Sequence, residues 1–133
     1  MTHRYGIDTP IFIRLLTGMP EAEYQKTVAA FERRLQAEPQ SEFLVSNQVI
    51  GETYIALQHH FGITKADAKS AMCEVLTSGL CSPQNGSSVF EALRADKGCG
   101  LLDRLIADDY AAHGMKTLTN DAKMSRLPNA LKL

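Results

Sequence analysis

Apolar positions along this chain follow two spacings, and the alternation between them sets out its elements. Short continuous runs read as strands, whereas stripes at intervals of three and four read as helices. The first strand comprises the residues just before Asp8, in Tyr5-Gly6-Ile7-Asp8. Thr9 as N-cap and Pro10 at the first helical position then predict a helix, which Gly18 ends in the left-handed conformation. Pro20 opens a second helix with Glu21 and Glu23 in its first turn, Arg33 and Arg34 in its last, and Tyr24, Val28, Phe31 and Leu35 on one face. After a turn at Glu38-Pro39-Gln40-Ser41 comes a second strand, Phe43-Leu44-Val45. Ser46 caps a helix from Asn47 to Phe61 with the stripe Ile50, Tyr54, Leu57 and Phe61, and Gly62 stops it. Thr64 starts its antiparallel partner, which buries Ala68, Met72, Val75 and Leu76 and closes at Ser78-Gly79.

The pattern continues into the second half. Leu80-Cys81 reads as a brief third strand before the turn-rich Ser82-Pro83-Gln84-Asn85-Gly86-Ser87. Ser88 and Glu91 have capping-box spacing and predict a short helix through Ala95. Gly98-Cys99-Gly100 interrupts, and a helix from Leu101 to His113 follows, with Leu101, Leu102, Leu105, Ile106 and Tyr110 facing inward and Gly114 as its stop. Met115 to Thr119 reads as a strand, Asn120-Asp121 as the turn beyond it, and the tail from Met124 carries a Leu127-Pro128-Asn129 turn. Strands alternating with helices predict parallel pairing through right-handed crossovers. The expected fold is α/β: a single domain over residues 1–133, three layers α/β/α, with a short, mainly parallel central sheet.

Composition narrows the function classes. The 133 residues carry 14 Lys plus Arg against 15 Asp plus Glu, so no global field marks a non-specific polyanion binder, and any nucleic-acid contact must be local. Cys73, Cys81 and Cys99 form no C-x-x-C pair and are too few for a disulfide framework, which suits a reducing compartment. No apolar run approaches the roughly 18 residues of a spanning helix, and Met1-Thr2-His3-Arg4 has no secretory apolar core, so a soluble cytoplasmic protein with no membrane association is expected.

The candidate chemistry lies in four carboxylates. Asp8 follows the first strand, Glu52 lies in the second turn of the helix after the second strand, Asp103 in the first turn of its helix, and Asp121 after the last strand. In a parallel sheet these positions share the carboxyl edge, where sites form. Converging carboxylates repel unless a cation neutralises them. Oxygen ligands without His or Cys select Mg²⁺ or Mn²⁺, and the matching chemistry is phosphodiester hydrolysis by a metal-activated water. Arg14, Arg104, Lys123 and Arg126 lie near the acids in sequence and suit a phosphate backbone. Taken singly, each acid also fits a helix cap or a solvated surface. His59-His60 lack the i, i+4 spacing of a helical zinc pair, and Asp108-Asp109 reads as a solvated face. Nucleotide-cofactor folds have no support, because G-x-G-x-x-G and G-K-[ST] are both missing.

In order and spacing these segments resemble a PIN domain, in particular the VapC-type toxin ribonucleases of bacterial toxin–antitoxin pairs. Ile7-Asp8-Thr9 with Ile11 to Gly18 is similar to the family's opening strand and helix, and Val45-Ser46 through Gly51-Glu52 to its second motif. Leu102-Asp103-Arg104-Leu105-Ile106-Ala107 is similar to its D-x-L-I-A helix, and Leu118-Thr119-Asn120-Asp121 with Met124 to Pro128 to its T-x-D turn and the L-P that follows. Two positions depart from the pattern. Gly100 stands where many relatives carry an Asp, and Pro10 where many carry an Asn. The resemblance implies a Mg²⁺- or Mn²⁺-dependent endoribonuclease with Asp8, Glu52, Asp103 and Asp121 as acidic set, Thr119 as an accessory residue, a small antitoxin as partner and a homodimer. The competing expectation is a PIN-like protein- or RNA-binding module with little catalysis, for which Gly100 is the best argument.

Overall fold

A computed structural model describes residues 3–133; the lead-in Met1-Thr2 lies outside the described residues. The chain is α/β, with six α-helices among the described residues and parallel strands in two short sheets of three and two strands. Its internal contacts divide into two units, Met1–Gln84 and Asn85–Leu133.

In the first unit, β1 (Arg4–Gly6) pairs in parallel with β2 (Glu42–Val45), Tyr5 standing opposite Phe43. Ile7 prolongs the ladder by donating its N–H to Leu44 O at 3.0 Å. The third strand, β3 (Ser82–Pro83), joins the other side of β2 two residues beyond the expected Leu80-Cys81. Pro83 is tolerated because β3 is an edge strand, and Gln84 N donates to Val45 O at 2.8 Å where proline has no N–H to offer. Cys81 is buried instead, and that burial pushes its thiol up to about 11. None of the three cysteines forms a disulfide.

Around this sheet, α1 (Thr9–Thr17) ends at Gly18, whose φ of 67° needs no Cβ penalty and whose N–H reaches Arg14 O. Next comes α2 (Glu21–Ala37). Its stripe Tyr24, Val28, Phe31 and Leu35 is half-buried, with Phe31 stacked on Phe43 at 4.5 Å between ring centroids. The third helix, α3 (Asn47–Phe61), begins as its sequence predicts, with Ser46 Oγ accepting from Val49 N, and buries Ile50, Thr53, Tyr54 and Leu57. Phe61, expected on that stripe, is 43% exposed at the helix end, and Thr53 takes the inward position instead. Thr64 caps α4 (Lys65–Thr77), which packs on α3 and α1 through Ala68, Met72 and Leu76, while Val75 is only half-buried.

The second unit comprises α5 (Ser88–Arg94), α6 (Leu101–Ala112), β4 (Thr117–Thr119), a 3₁₀ turn at Met124–Arg126 and β5 (Ala130–Lys132). The capping box at Ser88 does not form. Ser87 is the N-cap and Ser88 Oγ donates to Asp108 Oδ1 at 2.5 Å, so Asp108-Asp109, half-buried and exposed respectively, is a solvated face that also anchors hydrogen bonds. Asn85 Nδ2 donates to Asp109 Oδ1 at 2.9 Å in the same anchor. On α6, Leu101, Leu105 and Ala107 are buried, whereas Leu102, Ile106 and Tyr110 are between 41% and 48% exposed. Residues one apart on a helix point about 100° apart, so 101/105 and 102/106 cannot both face one core. The tail, expected as a turn alone, adds β5, which pairs in parallel with β4 and sets Leu118 opposite Leu131.

A polar cluster ties α2 to β1. Glu38 Oε2 accepts the Tyr5 hydroxyl at 2.7 Å, His3 Nδ1 stands 3.4 Å away, and the Arg34 guanidinium lies over the Tyr5 ring at 4.9 Å. The Tyr5 hydroxyl, followed by His3 and Arg34, holds the Glu38 carboxyl below its ordinary value. Stability from this group is present above the ordinary carboxylate range and is lost as pH falls through the lowered value. In Tyr5→Phe, carboxyl NMR should show Glu38 titrating closer to 4.5, and the melting-temperature gap to wild type should narrow on acidification. Thr53 offers a second check, because its buried hydroxyl has no hydrogen-bond partner among the described residues. An unsatisfied buried group costs about 1–3 kcal/mol, so the isosteric Thr53→Val should stabilise the protein by about 1 kcal/mol or more in urea denaturation.

Candidate functional site

The carboxyl ends of β1 and β2 lead directly into α1 and α3, and this places Asp8 and Glu52. Asp8 is two residues beyond β1 with an extended backbone, φ −91° and ψ 173°. That conformation makes Asp8 itself, not the expected Thr9, the N-cap of α1: Oδ1 accepts from Ile11 N at 3.1 Å, and the Asp8 carbonyl accepts from Phe12 N. Pro10 remains in the first turn, where its missing N–H leaves nothing unpaired.

Thr9, relieved of capping, donates its hydroxyl to Glu52 Oε1 at 2.6 Å, across 43 residues of sequence. Glu52 itself is exposed, although its neighbours Gly51 and Thr53 are buried. Asp8 and Glu52 are therefore arranged alike: each has one oxygen held by the first turn of α1 and accepts no further hydrogen bond among the described residues. Thr9, Arg14 and Glu52 line an open groove of about 800 Å³ between α1 and α3, together with Ile55, His60 and Phe61. Arg14 thus shares a groove with one of the acids.

In the second unit the T-x-D turn closes on itself. Asp121 N donates to Thr119 Oγ1 at 3.0 Å, and Asp121 Oδ1 accepts from Met124 N, the first amide of the 3₁₀ turn, at 2.7 Å. Asp103 lies in the first turn of α6, half-buried, and its carboxylate accepts no hydrogen bond among the described residues. Arg104 faces elsewhere: Nε donates to Cys99 O at 3.0 Å and Nη2 to Lys97 O at 2.6 Å, which braces the loop before α6. Gly100 is the N-cap of α6, and a Cβ there would meet no atom within 4 Å.

The four acids thus fall two to each unit. Within neither unit do three or more His, Cys, Asp or Glu side chains among the described residues gather into a group able to hold a metal ion. Sequence reasoning missed the contact between Thr9 and Glu52. The available signal was an Asp and a Thr side by side at one helix start, competing for one cap. Compared with models of protein families and with curated proteins, the chain matches none.

Asn keeps a capping carbonyl oxygen and Ala does not, so the two substitutions of Asp8 separate its cap from its charge. Asp8→Ala should lose about 0.5–2 kcal/mol in chemical denaturation, and Asp8→Asn should remain near wild type. Equal losses in the two variants would mean that the carboxylate does more for stability than cap α1.

Proposed function

We propose that the chain is a Mg²⁺- or Mn²⁺-dependent endoribonuclease with a PIN-like fold, the toxin member of a VapC-type toxin–antitoxin pair. The observation that carries the reading is that Asp8 at the end of β1 and Glu52 in the helix that follows the adjacent parallel strand β2 are both tied to the start of α1, each carboxylate held by one oxygen only. Asp121, in the second unit, is likewise held by one oxygen only. The α/β class with short parallel sheets agrees with the family that the motifs resemble.

The chemistry of the donors suits a hard divalent cation. They are carboxylate oxygens, and in Asp8, Glu52 and Asp121 the first oxygen is fixed by a neutral donor while the second is left for a ligand. When bound, the ion lowers the pKa of an attacking water and neutralises charge developing on the phosphorus oxygens. In this reading Asp8 binds an ion directly and Glu52 binds it or orients the water; for the second unit the resemblance implies Asp103 as a direct ligand and Asp121 as a ligand or a residue acting from behind the ligands. Arg14 meets a phosphate of single-stranded RNA in the groove that it shares with Glu52. Thr119 serves by fixing Asp121. Arg104 serves by bracing the loop before α6.

A small antitoxin and a second copy of the chain are the proposed protein partners. The exposed Leu102, Ile106 and Tyr110 of α6 offer apolar surface for such contacts. No helix among the described residues is long and apolar enough to cross a membrane, and three cysteines outside any disulfide suit the reducing cytoplasm. The second reading, a PIN-like module that binds RNA or protein with little catalysis, is favoured by Gly100, where a helix N-cap with room for an acid carries no side chain.

Purified protein should cleave single-stranded RNA with Mg²⁺ or Mn²⁺, stop with chelator, and lose roughly 100-fold or more of its rate in Asp8→Asn. Equal cleavage by Asp8→Asn and wild type would reject the site. Folded protein that binds RNA but cleaves none would establish the binding module.

A further inference from the structure

We propose that Thr9 is the positioning residue for Glu52, and that its hydroxyl decides which carboxylate oxygen Glu52 presents to a divalent cation. This rests on the metal-dependent reading above. The distance of 2.6 Å from Thr9 Oγ1 to Glu52 Oε1 falls in the range of O–H donation to an ionised carboxylate, the shorter and stronger kind of hydrogen bond. Glu52 is exposed on α3, and among the described residues no other donor reaches it. Without that bond a glutamate side chain on a helix surface samples many rotamers. With it, Oε1 is tied to the start of α1, and Oε2 is left as the oxygen for a cation or a water.

Thr9 suits the task for three reasons. Its branched side chain has few χ1 choices, so the hydroxyl is held in direction. It is half-buried in the first residue of α1, whose first-turn amide at Ile11 is already satisfied by Asp8, so the hydroxyl is not drawn into capping. It adjoins Asp8, so one dipeptide supplies a carboxylate of the proposed set and aims another 43 residues from Thr9. Hydrogen-bonded neighbours of metal ligands typically govern affinity by 10–100-fold, and Thr9 stands in that relation to Glu52.

The test is Mn²⁺ binding by the full chain without RNA, followed by the electron paramagnetic resonance of free Mn²⁺, with circular dichroism to confirm folding. Thr9→Val should bind Mn²⁺ roughly 10–100-fold more weakly than wild type, and Thr9→Ser, which restores the hydroxyl, should recover wild-type affinity. In a Glu52→Gln background, Thr9→Val should have no further effect, because the residue acts through Glu52. Wild-type affinity in Thr9→Val, failure of Thr9→Ser to recover it, or an undiminished effect in the Glu52→Gln background would each overturn the assignment while leaving the metal reading intact. A wild-type chain that binds no Mn²⁺ would overturn both. Should Thr9→Val fail to fold, Thr9→Ala removes the same hydroxyl without added bulk and carries the same comparison.

Discussion

The first amides of α1 have no partner inside the helix, and the chain resolves that constraint at Asp8. Much of the first unit's polar arrangement follows from this choice. A cap at Asp8 ends β1 early enough for Ile7 to close the ladder on β2, and it turns Thr9 into the first helical residue rather than the cap. The hydroxyl of Thr9 is thereby available to reach α3, whose own start is fixed by Ser46. In two helices that follow adjacent parallel strands, one short hydrogen bond joins the start of α1 to the second turn of α3, and the helices pack on each other, with Phe12 and Ile50 fully buried.

Where a boundary is decided by local chemistry, the sequence was sufficient. Ser46, Thr64, Gly18 and Gly62 each satisfy helix-end groups within a few residues, and each sits where the pattern places it. Asp8 and Thr9 show the limit of that reasoning, since both are good caps and the backbone angle at residue 8 decides between them. Ser88 shows it again. Its spacing to Glu91 fits a capping box, but a carboxylate twenty positions away at Asp108 takes its hydroxyl. Strands of two or three residues, such as β3 and β5, are too short to show a period, so only their pairing reveals them. The α6 stripe fails for a different reason: with apolar residues at 101, 102, 105, 106 and 110, periodicity alone does not say which side is buried.

The candidate site divides along the same line. The identity of the four acids was readable because strand ends and helix starts are local features. Their individual commitments were not, because the donors to Glu52 and the fate of Arg104 depend on tertiary contacts. Arg104 is the clearer lesson: a cation one residue from a candidate ligand invites assignment to phosphate, yet two backbone carbonyls of the preceding loop occupy it.

A carboxylate that is wholly paired inside a protein has no oxygen left for a ligand, and one that is wholly free has no fixed direction. Asp8, Glu52 and Asp121 stand between these limits, each with one oxygen held by an uncharged donor, an amide N–H or a hydroxyl. A neutral donor directs a carboxylate without cancelling its charge, whereas an arginine in the same place would do both. Among the described residues none of these three acids is in an ion pair, although Glu38 and Glu42 are. These acids thus fall into two groups: Glu38 at the end of α2 and Glu42 at the start of β2 are paired with nearby cations, and Asp8, Glu52 and Asp121 are held by uncharged donors. The second arrangement is one that a cation-binding role requires, and for Asp8 a helix cap already produces it.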